Sequence, residues 1–236
     1  MAHGKRYRTA VESYDQNDSF PPAEAVALVK EHASTKFDET VELHIRTGLD
    51  PRHAEQQVRG TTLLPNGLGK QVRILVFAEG EGARAATDAG ADEVGGNELI
   101  KRVEEGFTDF DVALAQRDLM GKVGKLGRVL GPRGLMPNPK SGTVVDSEDL
   151  SRAIDEARKG RVEFRLDRLA LIHVPVGKAS FPQEHLVENL VSTIDEIVKA
   201  KPKETKGSYI RSMYLTSTMG PSVKLELQTS LNAKVE

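Results

Sequence analysis

The 236-residue sequence predicts an α+β domain that is built from both ends of the chain, with an antiparallel sheet, and is interrupted by an inserted α/β domain. Two patterns lead to this prediction. Near both ends, short stretches alternate apolar and polar residues, which is typical of strands with one face toward solvent. In the middle, apolar runs alternate with helical stretches, which is typical of a largely parallel sheet. We expect residues 1–67 and 160–236 to form the first domain and residues 68–159 the second, with permissive glycines at the junctions.

The first segment predicts a helix followed by strands. Pro21-Pro22 suits the first turn of a helix whose apolar face includes Ala25, Val26 and Val29. From Thr40 to Arg46, apolar residues alternate with charged or polar ones, which predicts a half-buried strand. Residues 60–65 are a weaker strand candidate.

The middle segment predicts alternating strands and helices. Strands are expected at residues 72–78, 110–115 and 143–145, and helical stretches at 83–89 and 98–105. A helix from Ser147 to Lys159 closes the domain. We expect Asp146 or Ser147 to cap it and Gly160 to end it.

The last segment returns to the alternating pattern. Arg161–Leu169 predicts a strand with Val162, Phe164 and Leu166 inward, and Leu171–Val176 is expected to be its hairpin partner. Apolar residues at helical spacing, among them Leu186 and Val198, predict a long helix from about Pro182 to Ala200. Strands are expected at residues 209–216 and 222–228.

Composition restricts the functional classes. The chain has no Cys, which excludes disulfides, thiolate catalysis and cysteine-bound zinc. The six histidines are scattered, and no motif typical of hydrolases or metalloproteases occurs, so we expect neither an enzyme nor a metal site. We expect a cytoplasmic protein, because there is no signal peptide and no apolar run approaches the roughly 20 residues of a membrane span.

Charge is unevenly distributed along the chain. The net charge is −2, but residues 79–111 carry ten acids and three bases, whereas residues 117–140 carry six bases and one acid. Salt screens distant charges beyond about 10 Å, so local clusters matter more to a polyanion than the sum. Net charge alone therefore neither supports nor excludes nucleic-acid binding.

Two irregular segments are candidates for binding. Gly121–Lys140 contains five glycines, three prolines and five bases, a composition that excludes an ordinary helix or strand. It could cradle a nucleotide phosphate, serve as a plain structural loop, or contact RNA or another macromolecule. It lacks the Gly-Lys-Ser/Thr pattern of a P-loop. Leu215–Ser222, rich in hydroxyl groups, is either a hairpin connection or a turn that meets phosphate and 2′-OH oxygens. Lys36–Thr40 has a similar mixture, and its Phe37 could lie in the core or cover a ribose face.

Several segments resemble one known family. Leu126–Thr143 (LGRVLGPRGLMPNPKSGT) is similar to the signature of the bacterial ribosomal protein L1 family. The same likeness extends in order over nearly the whole chain, in His3–Tyr7 (HGKRY), Lys36–Glu42 (KFDETVE), Leu68–Arg73 (LGKQVR), Pro175–Phe181 (PVGKASF) and Thr218–Ser222 (TMGPS).

The resemblance implies both a fold and a function. It implies a split β-α-β type of α+β domain with an inserted Rossmann-like α/β domain. It also implies a structural constituent of the large ribosomal subunit, without a cofactor, that binds stalk rRNA near the tRNA exit site. Such a protein would help release deacylated tRNA and repress translation by binding its own mRNA leader. No role is assigned to the tail after Gln228.

By the resemblance, the main rRNA contact falls on the domain formed by the chain ends. The residues expected there are Lys36, Phe37, Thr40, Arg165, Asp167, His173, Lys178, Ser212, Thr218, Met219 and Gly220. An auxiliary RNA contact would use the bases of the glycine-rich loop, Lys122, Lys125, Arg128, Arg133 and Lys140. Two rival interpretations remain: an enzyme that holds a nucleotide in the α/β domain, and a protein-interaction module without nucleic acid.

Overall fold

The structure, a computed structural model, describes residues 4–205 and 207–233. Met1–His3, including the first residue of the segment His3–Tyr7, lie outside the described residues, as do the last three residues of the tail. The chain divides into two compact units. The terminal unit comprises residues up to Gly69 and from Gly160 onward, and the inserted unit comprises Lys70–Lys159.

The elements follow one another in an order that reflects this division. The first stretch forms α1 (Lys5–Glu12), α2 (Pro22–His32), β1 (Thr40–Thr47) and β2 (Arg59–Leu63). The middle stretch forms β3 (Ile74–Phe77), α3 (Glu81–Asp88), β4 (Glu93–Gly95), α4 (Asn97–Glu104), β5 (Val112–Gln116), α5 (Met120–Val123), α6 (Gly127–Leu130), β6 (Val144–Val145) and α7 (Leu150–Arg158). The last stretch forms β7 (Arg161–Arg165), β8 (Leu171–Lys178), α8 (Gln183–Lys199), β9 (Ile210–Ser217), β10 (Val223–Lys224) and α9 (Leu227–Asn232).

The terminal unit contains an antiparallel sheet in the order β10-β9-β1-β8. The predicted alternation of β1 is confirmed, since Val41, Leu43 and Ile45 are fully buried while the residues between them reach solvent. The buried side chains join one core with the apolar faces of α2 and α8. Two helices on one face of an antiparallel sheet leave the other face polar, as the alternation requires.

The predicted hairpin between residues 161–169 and 171–176 is wrong. β7 pairs with β2 instead, in a separate two-stranded antiparallel sheet, and meets β8 only through a single bridge between Leu166 and Ile172. Packing explains why β7 pairs with β2. Gly60 lies opposite Phe164, and a Cβ on Gly60 would come within 2.6 Å of the Phe164 ring. The glycine therefore makes room for the buried aromatic ring.

Two predictions near the carboxyl end also need correction. The strand expected at residues 222–228 is reduced to β10, because Glu226 donates its backbone N–H to the carbonyl of Phe20 and helix α9 follows. The long helix is confirmed as α8, and Leu186, Leu190 and Ile194 are buried. Val198, however, is 37% exposed and does not belong to the core.

The inserted unit contains a parallel sheet in the order β4-β3-β5-β6. All four residues of β3 are buried, which fits a strand covered on both faces. Helices α3 and α7 pack against one side, and α4, α5 and α6 pack against the other. The chain thus combines antiparallel and parallel sheets in a mixed α/β fold.

The start of α7 differs from the prediction. A 3₁₀ turn over Ser147–Asp149 precedes the helix, and neither Asp146 nor Ser147 makes a side-chain cap. Both side chains have other partners: Asp146 pairs with Arg117 at 3.2 Å, and the Ser147 hydroxyl accepts from the Gln116 amide at 3.2 Å.

The glycine-rich segment is more regular than its composition suggested. Its first half forms helical turns, α5 and α6 with a 3₁₀ turn between them. Val123, Leu126 and Leu130 recur at helical spacing and are buried in the core of the inserted unit. Burial of these three side chains outweighs the low helix propensity of the glycines.

Candidate nucleic-acid interface

Two loops meet at the end of the antiparallel sheet where β1 begins. Residues 33–39 lead into β1, and residues 218–222 connect β9 to β10 as a hairpin. The backbone N–H of Thr40 donates to the Thr218 hydroxyl at 3.0 Å. Lys178, the last residue of β8, donates to the Thr40 hydroxyl at 2.9 Å. We call the residues brought together here, Lys36–Thr40, Lys178 and Thr218–Gly220, the two-loop surface.

A buried carboxylate fixes the two loops to each other. Glu39 is only 2% exposed. Its Oε2 accepts hydrogen bonds from the Ser217 hydroxyl at 2.8 Å and from the Met219 backbone N–H at 2.9 Å. Its Oε1 accepts from the Thr35 backbone N–H at 3.2 Å. One side chain thus joins backbone atoms of both loops, which sets the distance between them.

The same hydrogen bonds determine the ionisation of Glu39. Burial by itself would raise the pKa of this carboxyl, but the hydrogen bonds from Met219, Ser217 and Thr35 outweigh burial and lower the pKa below its ordinary value. Glu39 is therefore ionised at neutral pH, and hydrogen bonds from the two loops stabilise its charge.

Close packing around position 220 leaves room only for a glycine. A Cβ at this position would lie 2.4 Å from the Ser217 hydroxyl oxygen, which is the atom that bonds Glu39. A larger residue would push Ser217 away from the carboxylate. The sequence Thr-Met-Gly therefore serves the local packing as well as the turn.

The surface exposes two large apolar side chains beside polar groups. Phe37 is 55% exposed and Met219 is 56% exposed, so Phe37 is not a core residue. Lys36 is also exposed. Asp38 accepts from the Ser180 hydroxyl at 2.7 Å, which ties its loop to the end of β8. An apolar ring, a thioether, hydroxyls and a cation on a fixed backbone are groups that contact ribose and phosphate.

His173 and Ser212 lie farther along the same sheet. His173 is paired with His44 of β1, and Ser212 is paired with Arg46. At about 3.3 Å per residue, the six steps from Thr40 to Arg46 cover about 20 Å. These two predicted residues thus extend the two-loop surface along the polar face of the sheet and do not join it at one point.

The centre of that polar face is a histidine pair. The Nδ1 atoms of His44 and His173 are 2.7 Å apart, so one imidazole donates and the other accepts. Burial, reinforced by the nearby His173, lowers the pKa of His44, although the carboxylate of Glu42 acts in the opposite direction. The pair therefore favours the state in which His44 is neutral.

Arg165 and Asp167 lie outside the four-stranded sheet, although the Asp167 Oδ2 atom is 3.7 Å from Nε2 of His173. Arg165 lies on β7 and belongs to the two-stranded sheet. Asp167 stabilises its own turn, since its Oδ1 accepts from the backbone N–H groups of Leu169 at 2.8 Å and Leu171 at 2.7 Å. In this turn Ala170 adopts a left-handed φ of 62°, which is unfavourable for a residue with a Cβ.

The five bases of the glycine-rich segment lie in the inserted unit, and all are exposed. Two of them contact side chains of their own unit: Lys122 lies 3.9 Å from a carboxylate oxygen of Glu79, and Arg133 donates to the Thr108 hydroxyl. Lys125 and Arg128 project from the helical turns whose apolar side chains are buried. The segment is thus part of the core and also presents a basic surface.

The carboxyl ends of the parallel strands give little support to a nucleotide site. A cavity of about 420 Å³ there is lined by Glu79, Glu98, Asn97 and Arg102, among others. The two carboxylates would repel a pyrophosphate. Within residues 4–205 and 207–233, no group of three or more His, Asp or Glu side chains could hold a metal ion. No helix in this part of the chain has the length and apolar character that crossing a membrane requires.

Sequence reasoning included Glu39 and Ser217 in candidate segments but gave neither a role, and it did not place His44 against His173. Glu39 and Ser217 are separated by 178 residues, and nothing local in either segment indicates that they bond. The alternation of β1 did place His44 on the polar face, but only the pairing of β1 with β8 sets it against His173.

Comparisons with known proteins find similarity over most of the chain. The model of the Ribosomal protein L1p/L10e family matches residues 29–221. The chain is 58% identical to the large ribosomal subunit protein uL1 of Dehalococcoides mccartyi, over 97% of this chain and 96% of the relative. It is 55% identical to the protein of the same name from Chloroflexus aggregans, over 99% of both chains. A third relative of that name, from Chloroflexus aurantiacus, is 55% identical over 98% of both chains.

Proposed function

Because the chain belongs to the Ribosomal protein L1p/L10e family, whose members are structural and not enzymatic, we propose that it is a constituent of the large ribosomal subunit that binds stalk rRNA through the two-loop surface. The discontinuous terminal unit would carry the main contact. Family membership also argues against an enzyme that uses the inserted unit to hold a nucleotide.

The observation that carries the proposal is the fixed shape of the two-loop surface. Glu39 links Thr35 to Ser217 and Met219, so both exposed apolar side chains project from a backbone that is already in place. An RNA that binds such a surface does not have to order it, and less conformational entropy is lost on binding. This favours a folded RNA of complementary contour over a flexible single strand.

The chemistry of the surface suits double-helical RNA. The deep major groove of an RNA helix hides the base edges, whereas the shallow minor groove presents ribose and 2′-OH groups. Thr40 and Thr218 offer hydroxyls, Phe37 and Met219 offer apolar contact to ribose, and Lys178 offers a cation. Shape and hydrogen bonding then share the affinity with counterion release, which is compatible with a net charge of −2.

We propose that the contact extends along the polar face of the sheet through His173 and Ser212, with Arg165 at its edge. Asp167 would act by holding its turn, because a carboxylate gains little from facing phosphates. The bases of the glycine-rich segment, Lys122, Lys125, Arg128, Arg133 and Lys140, would form the auxiliary RNA contact.

Replacement of Met219 and Thr218 tests the proposal. Full burial of a Met side chain contributes about 1.5–3 kcal/mol, and Met219 is about half exposed, so Met219→Ala should weaken binding by about 1 kcal/mol, or about fivefold. Thr218→Ala should cost a similar amount, because it removes a hydroxyl proposed to contact the RNA and also the acceptor that holds the Thr40 N–H. Filter binding with a transcript of the stalk rRNA measures both effects.

Matched controls keep this test specific. Leu231→Ala removes an apolar side chain that is 42% exposed on α9, and Thr87→Ala removes a hydroxyl from α3 in the inserted unit. Both should leave the affinity unchanged. Equal affinities for wild type, Met219→Ala and Thr218→Ala would show that the two-loop surface does not contact the stalk.

We further propose that the same surface binds an RNA structure similar to the stalk in the leader of the chain's own mRNA, and so represses translation of that mRNA. We also propose that the protein acts in the cytoplasm and assists release of deacylated tRNA from the exit site. Competition addresses the first part: stalk rRNA should displace the leader, and Thr218→Ala should weaken both complexes in parallel. A leader complex that is insensitive to Thr218→Ala would separate repression from rRNA binding.

A further inference from the structure

Helix α1 lies outside the core of the terminal unit. None of the side chains in Lys5–Glu12 is buried. An isolated helix of eight residues is unstable in water, because helix nucleation is unfavourable and most helices are held by an apolar face. Contacts with the rest of the terminal unit must therefore hold α1 in position.

Contacts of α1 and of the segment that follows it reach the two loops that carry the two-loop surface. The Arg6 guanidinium donates to the carbonyl of Ser34 at 3.2 Å, in the loop that leads into β1. Just beyond the helix, the Tyr14 hydroxyl donates to the carbonyl of Ser222 at 3.1 Å, in the loop between β9 and β10. The helix and the segment after it thus lie beside the two loops that we propose to contact rRNA.

Aromatic packing fixes this position further. The Tyr14 ring stacks on His32 with ring centroids 5.8 Å apart and meets the edge of Phe20 at 6.0 Å. The Ser13 hydroxyl also bonds His32 at 3.0 Å. Burial, with a smaller contribution from Tyr7, raises the pKa of Tyr14, so its hydroxyl keeps the proton that it donates to Ser222.

The side chains of α1 complement a polyanion. The helix carries Lys5, Arg6 and Arg8 against a single carboxylate, Glu12, and all four residues are exposed. Arranging three cations beside a surface of hydroxyls and apolar groups adds an electrostatic component that the two-loop surface itself largely lacks.

We propose that α1 is an electrostatic arm of the RNA interface, whose basic side chains contact phosphates of the same folded RNA that the two-loop surface binds. The inference rests on the proposed function and deepens it. Phosphate contacts position an RNA without selecting its sequence, and each one releases counterions. The arm therefore contributes affinity and salt dependence, while the two-loop surface contributes recognition of shape.

The salt dependence of binding tests the arm in the full-length chain. Lys5→Gln together with Arg8→Gln removes two charges and keeps Arg6, which bonds Ser34. Since the slope of log K against log salt changes by about 0.9 for each phosphate contact, the double variant should reduce the slope by about 1–2. The probe is a transcript of the stalk rRNA, titrated over a series of monovalent salt concentrations.

The matched control removes two charges at the other end of the sheet. Lys201 and Lys203 are exposed, and Lys203 lies beside His53 and Gln56, which follow the far end of β1. Lys201→Gln with Lys203→Gln should keep the wild-type slope, and urea midpoints should show that both variants are folded.

Three results would count against the arm or its premise. If Thr218→Ala weakens binding but the Lys5/Arg8 variant keeps the wild-type slope, the arm is refuted and the proposed function stands. If both double variants reduce the slope equally, the effect reflects net charge and the arm is refuted as well. If the wild type does not prefer the stalk transcript to a duplex of equal length, the proposed function itself fails.

Discussion

The carboxylate of Glu39 should stabilise the terminal unit. Glu39→Gln tests this, because it removes the charge and replaces one acceptor oxygen but keeps the size of the side chain. The carboxylate accepts three hydrogen bonds, from Ser217, Met219 and Thr35. The amide oxygen of Gln can replace only one carboxylate oxygen. In the best arrangement it keeps Ser217 and Met219 and turns its NH₂ group toward the Thr35 N–H. A hydrogen bond to a charged group contributes about 1.5–3 kcal/mol, and water cannot replace it at a site that is 2% exposed, so we expect a loss of about 2 kcal/mol.

Tyrosine fluorescence during urea unfolding is the suitable assay. All four tyrosines, Tyr7, Tyr14, Tyr209 and Tyr214, belong to the terminal unit, and the chain has no Trp, so the signal reports unfolding of that unit. Glu42→Gln is the matched control. It makes the same chemical change on β1 at a side chain that is 43% exposed, and we expect a change below about 0.5 kcal/mol.

The pH dependence gives a second signature. Because the pKa of Glu39 is lowered in the folded chain, its stabilising effect is present above the ordinary value of 4.5 and is lost as the pH falls through the folded-state pKa. The difference between wild type and Glu39→Gln should therefore shrink in acid. Equal stabilities of Glu39→Gln and Glu42→Gln at neutral pH would refute the role assigned to Glu39.

Two further predictions concern positions away from the two-loop surface. Ala170→Gly should stabilise the terminal unit by about 0.5–1 kcal/mol in the same assay, because glycine adopts a φ of 62° without strain. The control Ala23→Gly, in the first turn of α2, should destabilise the unit. A loss of stability in Ala170→Gly would contradict the strain assigned to Ala170. The lowered pKa of His44 means that the unfolded chain takes up the proton first, so wild-type stability should fall as the pH drops below about 6.5. His44→Gln should flatten that fall, and an unchanged pH profile would show that His44 does not titrate as its surroundings indicate.

Local sequence patterns predicted individual helices and strands better than they predicted which strands pair. The alternation in Thr40–Arg46 identified β1 and its buried face, because in a strand that information lies in successive residues. The partner of β7 could not be found in this way, since it depends on Gly60 making room for Phe164 more than one hundred residues later. Composition also misled at Gly121–Lys140, where the spacing of Val123, Leu126 and Leu130 was the better signal for helical turns.

At the candidate site, too, the sequence did not reveal contacts between residues that are far apart in the chain. The resemblance to a known family pointed to Phe37 and Met219, which are both exposed, and to Thr40, whose N–H bonds Thr218. It did not point to Glu39, although this carboxylate joins the two loops. A buried charge is identified by its donors, and those of Glu39 are supplied partly by residues near the other end of the chain.

The position of β1 affects how the protein is made. β1 lies between β8 and β9, and both neighbours are synthesised long after it. In a nascent chain, the apolar row of Val41, Leu43 and Ile45 therefore has no partner strand until β8, which begins at Leu171, has emerged. Glu39 likewise lacks Ser217 and Met219 until β9 and the loop after it have emerged. A polypeptide released before β9 is made cannot complete the sheet or the two loops, so under the proposed function it would not compete for RNA.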